Sequence, residues 1–195
     1  MFPAVAQDAE TEDFGPGDST GKPYSRFWGG FDLGYASLAR SYSVTSGTTQ
    51  SKFTMALRGG IALTRRLLAG VELGGWTIQG SDTRDPAKGE AISTRFLVAQ
   101  YYPLARSTLF VRGGGGRIVY WNNREGESGA SGSGRILGLG YELALGAPAT
   151  ERARLYFTPS VDYSWGGFNG ATSPPGVVQD QRYRAVSVRI GLAVR

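Results

Sequence analysis

The sequence predicts an all-β fold: an eight-stranded antiparallel up-and-down barrel that spans a membrane. Three observations carry that prediction. The first is a two-residue period. Leu155, Phe157, Pro159, Val161, Tyr163 and Trp165 alternate with Tyr156, Thr158, Ser160, Asp162 and Ser164, and similar alternation recurs in almost every other segment. Successive side chains of a strand point to opposite faces, so each segment has one apolar and one small or polar face. The second is that very short turns alternate with long polar loops, as in a meander of hairpins closed into a barrel with two unlike ends. The third is the character of the second face, which is mostly Gly and Ala with few charges of mixed sign. A barrel standing in water would carry Lys, Glu, Asn and Thr there. Small residues suit a narrow, filled interior, so the apolar face looks outward, and only lipid tolerates that.

Each strand follows from its own pattern. Strand one runs from about Arg26 to Ala39, with Phe27, Phe31, Leu33 and Tyr35 opposite Gly30, Asp32, Gly34 and Ala36. A Ser, Thr and Gly loop follows from Ser41 to Gln50. Strand two, Lys52 to Thr64, has the cleanest alternation: Phe53, Met55, Leu57, Ile61 and Leu63 against Lys52, Ala56, Arg58, Gly60 and Ala62. Thr64-Arg65-Arg66 turns tightly into strand three, Leu67 to Gln79, where Ala69, Val71 and Leu73 oppose Gly70, Glu72 and Gly74. The polar loop Gly80 to Gly89 contains Asp-Pro, a turn signal. Strand four, Glu90 to Tyr102, is predicted to turn Ile92, Phe96, Val98 and Tyr102 outward and Ser93, Arg95, Ala99 and Tyr101 inward.

Pro103 to Arg106 is the second short turn. Strand five, Ser107 to Trp121, places Leu109 and Val111 out and Phe110 and Arg112 in; the run Gly113 to Gly116 leaves the register beyond it open. The loop Asn122 to Ala130 is polar. Strand six, Gly134 to Gly146, sets Leu137, Leu139, Tyr141, Leu143 and Leu145 against Gly138, Gly140, Glu142 and Ala144. A turn over Ala147 to Arg152 leads into strand seven, the segment around Val161. The loop Gly166 to Gln181 holds Pro174-Pro175-Gly176. Strand eight, Arg182 to Val194, sets Val186, Val188, Ile190, Leu192 and Val194 against Ser187, Arg189, Gly191 and Ala193. The chain ends fall with the short turns, which assigns that side to the periplasm and the long loops to the exterior.

Composition narrows the function. The 195 residues are 41% hydrophobic, with 30 Gly and 12% aromatics, and mean hydropathy is −0.22. No apolar run reaches the roughly 18 residues of a spanning helix, so a membrane reading is a β reading. Cysteine and histidine are both absent. Thiol chemistry, His-ligated metals and the Ser-His-Asp arrangement are excluded together, and the usual neutral-pH general base is missing. No metal and no cofactor are expected. The net charge of +5 and pI near 9.6 come from scattered Lys and Arg that form no dense run, so no nucleic-acid partner is expected. Anionic lipid headgroups or lipopolysaccharide at the barrel rims account for them. At the N-terminus Ala4-Val5-Ala6 before Gln7 matches the cleavage site of a secretory signal peptide. Residues 1–25 are thus expected to be a signal remnant and a flexible acidic periplasmic tail from Gln7 to Ser25, ahead of a barrel over residues 26–195.

Strand parity nominates an inward charge network: Asp32, Glu72, Glu142 and Asp162 with Arg58, Arg95, Arg112 and Arg189. An isolated buried charge is costly and a paired one much less so. The network reads as a plug filling the lumen, with a gated ion path along the same residues as the alternative. Two interfacial aromatic girdles are expected, from Trp76, Tyr120, Trp121, Tyr163 and Trp165 at the outer strand ends and Phe27, Tyr102 and Phe157 at the inner ones. Gly113 to Gly116 is not followed by Gly-Lys-Ser/Thr, and strand bending explains it better than a phosphate cradle.

These strands, turns and openings such as Trp28-Gly29-Gly30-Phe31-Asp32-Leu33-Gly34-Tyr35 resemble the small outer-membrane β-barrel family, which includes the OmpA transmembrane domain and OmpX. The resemblance covers about Arg26 to Arg195 and rests on pattern. It implies integral location in the Gram-negative outer membrane, insertion by the barrel-assembly machinery, and roles in anchoring, adhesion or envelope assembly with other envelope proteins. That family usually ends on an aromatic residue, whereas here the end reads Leu192-Ala193-Val194-Arg195. Barrel enzymes of the outer membrane share the architecture but use a catalytic His. The expectation is therefore a non-enzymatic envelope anchor, adhesin or assembly subunit working through its extracellular loops. The alternatives are a small gated pore and a soluble lipocalin-like barrel around an apolar ligand.

Overall fold

The computed structural model describes residues 27–41, 49–78, 90–104, 108–122, 130–146, 154–169 and 181–195. The tail and signal remnant expected over residues 1–25 lie outside them. The strands are β1 (Phe27–Ser41), β2 (Thr49–Ala62), β3 (Leu67–Ile78), β4 (Glu90–Tyr101), β5 (Leu109–Asn122), β6 (Ala130–Tyr141), β7 (Leu143–Ala144), β8 (Leu155–Phe157), β9 (Ser160–Asn169) and β10 (Gln181–Val194). β7 continues β6 past Glu142, and β9 continues β8 past Thr158-Pro159, so ten strands make eight staves. Every stave pairs antiparallel with its neighbour, and β1 pairs with β10 along Gly29↔Val194 to Ser41↔Arg182. The sheet is closed and keeps no edge.

Local chemistry sets the breaks and turns. Pro159 has no N–H for the ladder, yet its carbonyl accepts from the Tyr141 amide at 2.9 Å and the Thr158 amide donates to Gly191 O at 2.9 Å. The stave therefore continues through the interruption. In the first short turn the Thr64 hydroxyl oxygen accepts from the amides of Arg66 (3.1 Å) and Leu67 (3.0 Å). After β7, Gly146 has φ of 65°, a left-handed conformation that favours glycine. The run Gly113 to Gly116 does not interrupt pairing: it stays in register with Ala99 to Phe96 and with Leu137 to Gly134.

The molecule is apolar outside and mixed inside. Leu97 is 71% exposed and Val188 59%, whereas Arg112 is fully buried. On β10 the outward series Val186 to Val194 covers eight residue steps, which at about 3.3 Å each and a tilt near 40° gives an apolar band about 20 Å tall. A wall of this kind belongs in lipid.

One stave departs from the sequence reading. In β4 it is Ile92, Phe96, Val98 and Tyr102 that are buried, and Arg95, Leu97, Ala99 and Tyr101 that are exposed. Directly paired residues share a face. Glu72 pairs with Phe96 and Leu73 with Arg95, so an inward Glu72 brings Phe96 inward and leaves Arg95 on the lipid side. Arg95 is accordingly not part of the lumen network. β9 also extends to Asn169, so Gly166 to Asn169 are strand where a loop was expected.

Candidate functional site: the filled lumen

The centre of the lumen holds a closed ring of alternating charge. Arg112 Nη2 donates to Asp162 Oδ1 at 2.5 Å, and Arg189 Nη1 donates to Glu72 Oε1 at 2.8 Å. The other two links are Coulombic. Arg112 Nη1 lies 3.2 Å from Glu72 Oε2 and Arg189 Nε 3.4 Å from Asp162 Oδ2, misaligned for hydrogen bonds. Each ring member reaches the lumen from a different stave: β3, β5, β9 and β10. Closure of the barrel is what brings them together.

A second polar chain runs from this level to the periplasmic mouth. Arg58 Nη2 donates to Asp32 Oδ1 (2.7 Å) and to the Thr158 hydroxyl (3.1 Å), and its Nη1 donates to Gln100 Oε1 (3.4 Å). Gln100 Nε2 donates to the Tyr102 hydroxyl at 2.5 Å, which donates in turn to Glu142 Oε1 at 2.5 Å. Glu142 Oε2 is 3.0 Å from Arg195 Nη2, and the Arg195 guanidinium lies over the Tyr102 ring, 4.5 Å from its centroid. A cation over an aromatic face is attracted by the ring quadrupole.

The glycines of the inner face give these groups room. A Cβ on Gly138 would run into Asp162 Oδ1, and one on Gly191 into Asp32 Oδ1. Below the ring, Trp28, Leu68, Val98 and Phe110 close the periplasmic half, with Phe110 and Tyr102 edge to face at 6.2 Å. Above it, Leu38, Trp76, Ile92, Phe96, Ile118, Ile136, Phe168 and Tyr183 form a continuous apolar layer. Tyr183 packs on Trp76 (5.8 Å) and Phe168 (6.0 Å).

Of the eight residues nominated for the lumen network, Asp32, Arg58, Glu72, Arg112, Glu142, Asp162 and Arg189 are buried there, and Arg95 is exposed. Its place in the count of bases is taken by Arg195, which sequence reasoning missed. The signal was present: Arg195 shares parity with Arg189, Gly191 and Ala193. Gln100 shares the face of β4 that the strand's own pattern turns outward, so that pattern does not reveal it.

The girdle assignments divide similarly. Trp76 (2% exposed) and Tyr102 (3%) are inside the lumen, and Tyr120 packs against its apolar layer, 6.2 Å from Phe168. Trp76 lies four residues after Glu72 and Tyr120 eight after Arg112, so parity turns them inward despite their position near strand ends. Phe27 is 75% exposed, Phe157 is half-buried, and Tyr163 stacks on Trp165 at 5.3 Å. The side chain of Trp121 lies outside the described residues.

A closed eight-stave barrel with an apolar exterior and an ion-paired, filled interior defines an integral β-barrel of the bacterial outer-membrane type. Solved structures of similar fold include the following two. Neisserial surface protein A (NspA) matches at 16% identity and a TM-score of 0.53, covering 87% of this chain and 97% of that one. Ail, the attachment invasion locus protein of Yersinia pestis, matches at 10% identity and a TM-score of 0.50, covering 87% of this chain and 99% of that one. No protein-family model matches the sequence, and no curated protein does.

Proposed function

We propose that this protein is a non-enzymatic outer-membrane barrel that works by binding at its surface, as an envelope anchor, adhesin or assembly subunit, with specificity in its extracellular loops. The observation that carries this reading is the filled lumen. Among the described residues, each of the four buried carboxylates has a guanidinium within 3.0 Å, and an apolar layer lies between the ring and the loop-bearing end. Ionisable groups held in mutual pairs are not poised for proton transfer to a substrate. A chain without His also lacks the general base on which the barrel hydrolases and acyltransferases rely. Named relatives in fold favour the same class, since one is a surface protein and one an attachment and invasion protein.

The test pairs conductance with loop shortening. In planar bilayers the purified barrel is expected to pass no steady ion current, and variants shortened over residues 42–48, 79–89, 123–129 or 170–180 are expected to stay folded while losing surface binding. Sustained channel openings that vanish in a lumen variant such as Arg189→Met would replace this reading with the gated pore.

A further inference from the structure

The turn-bearing end of the barrel is strongly basic. Arg65 is exposed and Arg66 partly exposed in the first short turn, and Arg154 is exposed just before β8. Arg154 and Arg195 exchange backbone hydrogen bonds at 2.9 Å and 3.2 Å, which sets two like charges directly opposite one another. The sequence adds Arg106 and Arg152 in the other two turns, against the acid Glu151. Glu142, the buried carboxylate at this mouth, is already 3.0 Å from Arg195. Like charges held side by side repel, so this end favours an anionic occupant.

The chain carries a segment of the right sign at the right place. Residues 8–18 contain Asp8, Glu10, Glu12, Asp13 and Asp18, and neither Lys nor Arg precedes Lys22. The segment leads into β1 at Phe27, on the turn side, because Phe27 pairs with Ile61 and Gly29 with Val194. Ile61 is four residues before Arg65, and Val194 adjoins Arg195. The chain therefore enters the barrel between the Arg65–Arg66 pair and the Arg154–Arg195 pair. Its length suffices. The stretch from Asp18 to Phe27 can span up to about 30 Å, and the mouth of an eight-stave barrel, at roughly 4.8 Å per stave and a tilt near 40°, is about 16 Å across. Exposed ion pairs are individually weak. A tethered segment meets its partners at a high effective concentration, which lets several weak pairs act together.

We propose that the acidic segment over residues 8–18 docks across the turn-bearing mouth, with its carboxylates on Arg65, Arg66 and Arg154. Arg195 stays with Glu142 and the Tyr102 ring and adds its charge to the field. The docked segment covers the end of the polar chain that runs through Gln100, Tyr102 and Glu142.

The chain has no cysteine, so Thr11→Cys gives a single site for a nitroxide label. The full labelled chain is placed in nanodiscs of zwitterionic lipid, and paramagnetic broadening of backbone amide signals is read by NMR at low salt. Broadening is expected at residues 65, 66 and 154 and not at the loop-side residues Arg135 and Arg184. It is expected to fade in 1 M salt, where the screening length is about 3 Å instead of about 10 Å at 0.1 M. In R65Q/R66Q/R154Q the ratio of docked to undocked segment is expected to fall about eightfold, about twofold for each exposed ion pair. R65K/R66K/R154K is expected to keep the docked state, and R135Q to leave it unchanged. The proposal is overturned if the wild type shows no broadening at the turns, or if the folded glutamine variant shows it undiminished. Broadening of an isotope-labelled chain by a separate spin-labelled one would overturn it in favour of a second copy as the occupant. Loss of broadening when phosphatidylglycerol replaces part of the zwitterionic lipid would overturn it by assigning these arginines to the membrane surface.

Discussion

Replacing Arg112 by methionine tests the lumen directly. Its guanidinium is fully buried and stands 2.5 Å from Asp162 and 3.2 Å from Glu72. In the variant both carboxylates depend on Arg189, at 2.8 Å and 3.4 Å, and the lumen acquires one uncompensated negative charge. Removing one partner of a buried pair costs about 3–5 kcal/mol. Because Arg189 still neutralises the pair in part, the expected loss is about 3 kcal/mol, or roughly two decades in the unfolding equilibrium. Adding Asp162→Asn restores the charge balance. The double variant is then expected to be more stable than the sum of the single losses by about 2 kcal/mol.

The assay is urea unfolding in zwitterionic phospholipid vesicles, followed by tryptophan fluorescence and by gel migration of unheated samples. Arg95→Met is the internal contrast. Arg95 faces the lipid side, where a charge is a cost that rises with depth, so its removal is expected to be neutral or stabilising in vesicles without glycolipid. The two substitutions should therefore differ by about 3 kcal/mol or more. The account of the lumen is refuted if Arg112→Met costs no more than Arg95→Met. It is refuted equally if the Arg112 and Asp162 changes add to within about 0.5 kcal/mol.

Two further substitutions probe the packing around the charges by the same unfolding assay. Gly138→Ala would drive a methyl into the Asp162 carboxylate, with an expected cost of about 1–3 kcal/mol, whereas Gly113→Ala, which has nothing within 4 Å of its added carbon, is expected to be neutral or slightly stabilising. Tyr102→Phe removes the hydroxyl that accepts from Gln100 and donates to Glu142, and is expected to cost about 1.5–3 kcal/mol, as for hydrogen bonds to charged groups.

Most of the barrel was legible in the sequence because its period of two is local: β2 and β10 each have one bulky and one small face. β4 lacks that contrast. Ile92, Phe96 and Val98 on one side and Leu97 and Tyr101 on the other are comparably apolar, and the deciding fact is the pairing Glu72↔Phe96 with another strand. Pairing register is non-local, so a single strand's pattern does not contain it. The aromatic girdle erred for a different reason. A Trp or Tyr near a strand end suits an interface, but Trp76 and Tyr120 are turned by parity into a lumen that needs large rings to fill it. The ring Glu72–Arg112–Asp162–Arg189 was legible as a set of residues but not as a set of partners, since its members come from four staves that meet only on closure.

The division between inside and outside also decides where function can reside. Inside, four carboxylates face four guanidiniums, and apolar layers close the lumen above and below them. Each of these charged groups is paired with another part of the same chain. Outside, the wall is uneven around the axis. The β1 to β3 side ends, toward the loops, in the edge-to-face pair Tyr35 and Phe53 at 6.0 Å, whereas the β4 to β10 side ends in arginines without acidic partners among the described residues. The exposed arginines of β4 to β10 stand at the loop-side edge of the apolar band, where a charge costs less than at its middle, whereas β1 to β3 meet that edge with aromatic rings, so the wall presents unlike chemistry around its axis.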